Sequence, residues 1–139
     1  PNKEQEDLAK FLAEIGVDIV IGHHPHVLQP MEFLERPDGN KMFVIYSLGN
    51  FLSGQKWDYK DIGGVVQLRV KKTIGPGELN SKLEITVDDF IPTFVSQETN
   101  SKFHVVPLKD AASFGLPNAK AKTEEMMNHM FQWLNNPRH

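Results

Sequence analysis

Apolar residues recur along this chain in three rhythms, and each rhythm predicts a different kind of element. In residues 3–15, Leu8, Phe11, Leu12 and Ile15 follow the i, i+3, i+4, i+7 spacing of an amphipathic helix. Asn2 is placed to cap that helix, Gln5 occupies the capping-box position and Gly16 is placed to end it. Two uninterrupted apolar runs, residues 19–21 and 42–46, are each followed at once by a polar, glycine-containing loop. Such runs predict strands buried on both faces, as in the parallel part of an α/β sheet. A helix followed closely by such a strand is half of a βαβ unit. Between the two runs, residues 27–34 read as extended, and Arg36-Pro37-Asp38-Gly39-Asn40 reads as a turn.

The third rhythm begins near Gly63. Val66, Leu68 and Val70 alternate with Gln67, Arg69 and Lys71, and Leu83, Ile85 and Val87 repeat the pattern against Glu84, Thr86 and Asp88. Period two predicts half-solvated strands, joined as an antiparallel hairpin through a linker containing Gly75-Pro76-Gly77. Residues 90–95 and 103–106 are expected to add separate strands, confined by Pro92 and Pro107 to edges or bends. A final helix is predicted over 123–135, with Met127, Met130, Phe131 and Leu134 on its core face.

Composition narrows this picture. At 139 residues the chain has the length of one domain, and 40% hydrophobic with 24% charged residues is ordinary for a soluble protein. A formal charge of −3, with no basic cluster, offers no case for nucleic-acid binding. With no cysteine, neither a disulfide framework nor a thiolate metal site is available. No run approaches the roughly 18 apolar residues of a membrane span, and no signal peptide is evident. Because the chain starts Pro1-Asn2 and runs straight into a helix, we expect it to be a fragment or processed product.

The chemistry concentrates after the first apolar run, in Gly22-His23-His24-Pro25-His26. Ligands of open α/β sheets bind beyond the carboxyl ends of the strands, which is where these histidines fall. Proline restrains its own φ and biases its predecessor toward extended backbone, so the expectation is an extended His24-Pro25-His26. His24 and His26 would then project to one side and His23 to the other. Two imidazoles side by side are half of a tetrahedral site for a divalent metal, or one ligand for each of two neighbouring metals. The bland alternative is a set of solvated loop histidines. Asn50, in the bend after the second run, is expected either to offer its amide to metal or substrate or to bond its own backbone. The loop 54–62 holds Trp57, Asp58, Tyr59 and Asp61; Asp58 or Asp61 could reach a metal or substrate, and the favoured reading is a polar loop around an aromatic anchor. His104, His129 and His139 have no companion at ligand spacing.

These same residues carry a resemblance. Residues 18–30, D-I-V-I-G-H-H-P-H-V-L-Q-P, followed by Y-S-L-G-N-F at 46–51, resemble the bacterial capsule-synthesis CapA family. That family is associated with poly-gamma-glutamate capsules and is similar to the calcineurin-like metallophosphoesterases. The resemblance is strongest over residues 2–52, less specific to about residue 108, and does not extend to the last helix.

The resemblance implies an α/β fold, the C-terminal half of an αββα sandwich with a mixed sheet and antiparallel hairpins, as one domain over 1–139. Its closing His-x-His motif maps onto His24 and His26 as metal ligands, with divalent Mn, Zn or Fe in a dinuclear site in the longer parent. His23 and Asn50 are the candidates for a catalytic role. The superfamily's earlier Asp-x-His, Gly-Asp and Gly-Asn-His motifs are absent from this chain, and Ser53-Gly54 stands where many relatives have an acidic residue. The implied function is part of a capsule biosynthesis protein, a metal-dependent phosphoesterase in the parent and inactive as this chain alone. The alternative is a non-catalytic component of a surface-polymer synthesis or export complex. The implied partners are the missing N-terminal part of the domain, a second copy through self-association, and the polymer-synthesis complex. The implied location is the cell surface, with the parent membrane-anchored.

Overall fold

The apolar run at 42–46 becomes the centre of the first of two sheets. A computed structural model describes residues 1–75, 81–97 and 102–138. Strand β3 (Lys41–Leu48) is flanked by β1 (Ile19–Ile21), which is parallel to it, and β2 (Leu28–Glu35), which is antiparallel. All residues from Met42 through Ser47 are buried, as a strand covered on both faces requires. Alternate side chains serve two cores: Met42, Val44 and Tyr46 pack with Ala9 and Ala13 of helix α1 (Lys3–Glu14), while Phe43 and Ile45 join the larger cluster between the sheets.

Helix α1 has the predicted start. Asn2 accepts from the Gln5 backbone N–H at 2.9 Å while the Gln5 side chain accepts from the Asn2 N–H at 2.9 Å, a complete capping box. Its predicted core stripe is corrected. Leu8, Phe11 and Ile15 are more than half exposed, and the helix lies on the sheet through Ala9 and Ala13, with Leu12 at the margin. Small side chains let the helix approach the sheet, which rotates the larger stripe outward. Strand β1 is likewise not buried on both faces: β3 is its one neighbour among the described residues, and Ile21 is 47% exposed. Three consecutive β-branched residues read the same in an edge strand as in a central one.

The second sheet has the order β4 (Ile62–Ile74), β5 (Ser81–Gln97), β6 (Phe103–Pro107), all antiparallel. The runs at 83–87 and 90–95 are one continuous strand rather than two. Gln67 pairs with Asp89 but Leu68 with Val87, so Asp88 is an extra, bulged residue. The bulge shifts the side-chain phase by one, and Ile85, Val87 and Phe90 can all join the core. Pro92 is tolerated inside β5 because β6 stops at Pro107 opposite Thr93; at Pro92 the sheet is two strands wide and one flank of β5 is an edge. Residues 76–80 of the predicted hairpin linker lie outside the described residues, as does His139.

A 3-10 helix over Leu108–Phe114, not foreseen in the pattern, and helix α2 (Ala119–Asn135) close the core between the sheets through Leu108, Ala111, Ala119, Met126 and Met130. Helix α2 starts four residues before the predicted boundary and packs along β2. The result is an α/β arrangement of two small sheets, one mixed and one antiparallel, joined at an isolated bridge between Gly49 and Gly63.

Candidate metal centre at the histidine loop

The loop leaves the sheet through Gly22, whose N–H donates to Ile45 O at 2.8 Å and whose carbonyl accepts from Leu48 N at 3.0 Å. A Cβ at Gly22 would stand 2.1 Å from the Tyr46 carbonyl oxygen, so only glycine allows this close approach. The expected extended His24-Pro25-His26 is corrected. The segment is a turn, with His26 N–H donating to His23 O at 3.5 Å and His26 itself left-handed at φ 62°. Proline at the third position of a turn ends the possible hydrogen bonding of its own nitrogen, and histidine is among the residues that enter the left-handed region most readily.

The turn nevertheless brings the two rings together. His24 and His26 are both exposed, with ring centroids 6.2 Å apart and planes tilted by 48°. Two imidazoles on one metal at Zn–N distances of about 2.0–2.1 Å hold their centroids on the order of 5–6 Å apart, so the observed pair is close to a two-ligand arrangement. His23 is exposed as well. It lines a cleft of about 540 Å³ between the two sheets, with Ile19, Ile21, Leu48 and Phe51, and it also borders a smaller cavity beneath α1 together with His24.

Asn50 is 8% exposed, and its side chain neither bonds its own backbone nor stands free. Its Oδ1 lies 2.9 Å from His26 Nδ1, and its Nδ2 donates to Lys60 O at 2.8 Å and Gln55 Oε1 at 3.0 Å. Gln55 and the Lys60 carbonyl were missed in the sequence, where nothing distinguishes a glutamine five residues past a bend.

Among the described residues, the acidic side chains of the loop 54–62 do not join the two rings in a metal-binding group. Asp61 contributes its carbonyl to Val95 N at 2.9 Å. Asp58 lines a cavity of about 400 Å³ beside α2, with Tyr59, Ile62, Glu125, Met126 and His129. Of the two aromatic residues in this loop, Trp57 is 79% exposed. Tyr59 is the anchor, donating to Glu125 Oε1 at 2.7 Å with the Lys122 ammonium 4.3 Å from its ring centroid. His129 bonds Leu28 O through Nε2 at 3.1 Å and is structural. Among the described residues, no group of three or more His, Asp or Glu side chains converges as a metal cage.

Comparison with known proteins places the histidine turn in context. The family model for the bacterial capsule synthesis protein PGA_cap matches residues 1–55, from the α1 cap through Asn50 and its loop. That part of the chain is similar to the CapA capsule-synthesis proteins. The chain is 42% identical over 72 residues to the PGA biosynthesis protein CapA of Bacillus subtilis (strain 168), and 38% identical over 71 residues to the capsule biosynthesis protein CapA of Bacillus anthracis. These alignments take in 52% and 51% of this chain but 18% and 16% of the two relatives. No solved structure matches the chain. Both alignments are longer than the 55 residues of the family match, so relatedness to CapA extends beyond the histidine turn itself.

Proposed function

We propose that His24 and His26 hold a divalent cation (Mn, Zn or Fe) and contribute this part of a metallophosphoesterase-like centre to a poly-gamma-glutamate capsule biosynthesis protein. The observation that supports this reading is the paired exposure of the two rings, 6.2 Å between centroids, at the end of a strand in the family-matched region. A bound divalent metal would lower the pKa of a bound water and polarise a phosphoryl oxygen. Within this chain, His24 and His26 supply two neutral nitrogen donors, and Gly22 and Pro25 shape the turn that presents them.

The donor set also limits what the chain does alone. Two imidazoles without a carboxylate supply no charge to balance a pair of divalent ions, so the 139-residue polypeptide is hydrolytically silent and binds a cation weakly. A dinuclear pair would need ligands from elsewhere in the parent protein. No helix among the described residues is long and apolar enough to cross a membrane.

The test is titration of the chain with Mn(II) and Zn(II), followed by calorimetry or Mn(II) electron paramagnetic resonance, beside His24→Ala/His26→Ala. Weak binding lost in the double variant, with no phosphodiesterase turnover in either protein, is the expected result. Equal binding by both proteins removes the metal assignment, and turnover above the double variant removes the inactivity.

A further inference from the structure

Asn50 was a candidate to touch metal or substrate, but its geometry gives it another part. We infer that Asn50 is a positioning residue that fixes the tautomer and the orientation of His26, leaving Nε2 as the bare nitrogen of the ring. The functional meaning of that orientation rests on the cation reading above; the hydrogen bonding does not.

The tautomer follows from an inventory of donors and acceptors. An asparagine amide offers two N–H donors on Nδ2 and one acceptor oxygen. The Lys60 backbone carbonyl can only accept, and it lies 2.8 Å from one end of the Asn50 amide, so that end is Nδ2. Its second hydrogen is taken by Gln55 Oε1 at 3.0 Å. The other end is therefore Oδ1, which cannot donate, and the His26 Nδ1 at 2.9 Å must carry the hydrogen. A neutral imidazole with hydrogen on Nδ1 has its lone pair on Nε2. Metal-binding histidines commonly have their second nitrogen held in this way by an outer partner.

The surroundings are built to keep the amide from turning over. Gly49 is left-handed at φ 62° and makes the bend that carries Asn50 off β3. The Asn50 N–H donates to Ile62 O at 3.3 Å. The start of β4 lies so close that a Cβ on Gly63 would be 2.4 Å from the Asn50 carbonyl oxygen. Gln55 is itself steadied by its N–H bond to Ser53 Oγ at 3.1 Å. The loop then returns to Asn50 through three consecutive left-handed residues, Trp57, Asp58 and Tyr59, before the Lys60 carbonyl meets the amide. The loop thus acts as a clamp on an amide whose one remaining acceptor faces a histidine.

The experiment is long-range proton–nitrogen NMR of the histidine rings in the metal-free, full 139-residue chain at about pH 8.5, where unperturbed imidazoles are neutral. Wild-type His26 is expected to show a protonated Nδ1 and an unprotonated Nε2. Asn50→Asp keeps an acceptor for the Nδ1 hydrogen but gives up both donations to the loop, so the ring should keep a protonated Nδ1 while its orientation is less tightly held; Asn50→Leu removes the acceptor and should give a mixture of tautomers. Zn(II) affinity should fall about 10- to 100-fold in Asn50→Leu. Protonated Nε2 in the wild-type ring overturns the inference without any variant, so a misfolded Leu variant does not rescue it. Unchanged tautomer and affinity in a folded Asn50→Leu also overturn it. Failure of every form to bind a cation, with the wild-type tautomer as assigned, removes the metal reading and leaves the positioning of the ring standing.

Discussion

The Tyr46 hydroxyl donates to Glu32 Oε1 at 2.7 Å, and both side chains are buried between the first sheet and α1. Burial, reinforced by the hydrogen bond to Glu32, pushes the Tyr46 phenol well above its ordinary value of 10.0, so it remains a donor at any working pH. The same carboxylate oxygen accepts from Arg138 at 2.9 Å, while the other arm of that guanidinium reaches Glu6 at 3.0 Å and its centre sits 3.4 Å over the Trp133 ring. A buried carboxylate left with one partner fewer bears a desolvation cost that its pairing had offset. Tyr46→Phe and Arg138→Ala should each destabilise the chain by about 1–3 kcal/mol in urea unfolding. Combined with Glu32→Gln, each should cost clearly less than the sum of the separate changes. Additive losses would show that the three groups are not coupled.

Gly22 and Gly39 offer a comparison between steric and conformational demands. A methyl at Gly22 would sit 2.1 Å from Tyr46 O and 3.0 Å from Ile45 O, both rigid backbone atoms of β3. At Gly39 the φ is +79° but nothing lies within 4 Å of the added carbon. Gly39→Ala should therefore cost about 1–2 kcal/mol, the left-handed penalty alone. Gly22→Ala should cost about 3 kcal/mol or more, because β1 and the histidine turn must move off β3. Thermal unfolding of the two variants side by side checks the order, and equal losses would mean that the approach of Gly22 to β3 is not tight.

Among the described residues, five carboxylates contribute an acid-side pH dependence. Hydrogen bonds hold Glu6 (to Arg138), Asp38 (from Asn40), Glu84 (to Lys82), Asp88 (to Arg69) and Glu125 (to Lys122) below their ordinary values of 4.5 for Glu and 3.8 for Asp. A depressed folded-state pKa means that the unfolded chain binds protons first as pH falls. The stability these groups contribute is thus fully present above about pH 5 and declines as pH drops through 4.5 and toward the lowered values. Unfolding free energy should be level between pH 5.5 and 7.5 with respect to these groups and fall below pH 4.5. All five lie near the surface, so 1 M salt should flatten the acid limb. An acid limb unchanged by salt would assign it to other groups.

Much of the fold could be read from periodicity, and the failures share a cause. The α1 cap, β3 and the pairing of β4 with β5 were legible because capping chemistry, a long apolar run and period-two alternation are local signals. Which side of α1 faces the sheet is not local: Ala9 and Ala13 win the buried face over Leu8, Phe11 and Ile15 because closeness of approach outweighs side-chain size at that contact. The phase break at Asp88 looked like a strand end because a bulge is visible only against a partner strand. At the site, the histidines and Asn50 were conspicuous in sequence, but their joint arrangement depends on a turn and on a carbonyl ten residues beyond Asn50. A backbone acceptor has no sequence signature.

That turn-and-loop geometry has an energetic consequence in the left-handed run. Trp57, Asp58 and Tyr59 take φ values of 68°, 51° and 65°, each disfavoured for a residue with a Cβ by about 1–2 kcal/mol. Trp57 is 79% exposed and loses little burial on truncation, so Trp57→Gly trades the strain against a more flexible unfolded chain. The net expected change is a stabilisation of about 0.5–1 kcal/mol. Tyr59→Gly relieves the same strain but removes the hydroxyl bond to Glu125 at 2.7 Å and the ring beneath the Lys122 ammonium. It also opens the wall of the cavity against α2 that Tyr59 lines with Ile62 and Met126. Its expected change is opposite in sign, a destabilisation of about 1 kcal/mol or more. Urea midpoints that move in the same direction for the two variants would show that backbone strain, rather than what each side chain touches, decides the stability of this loop.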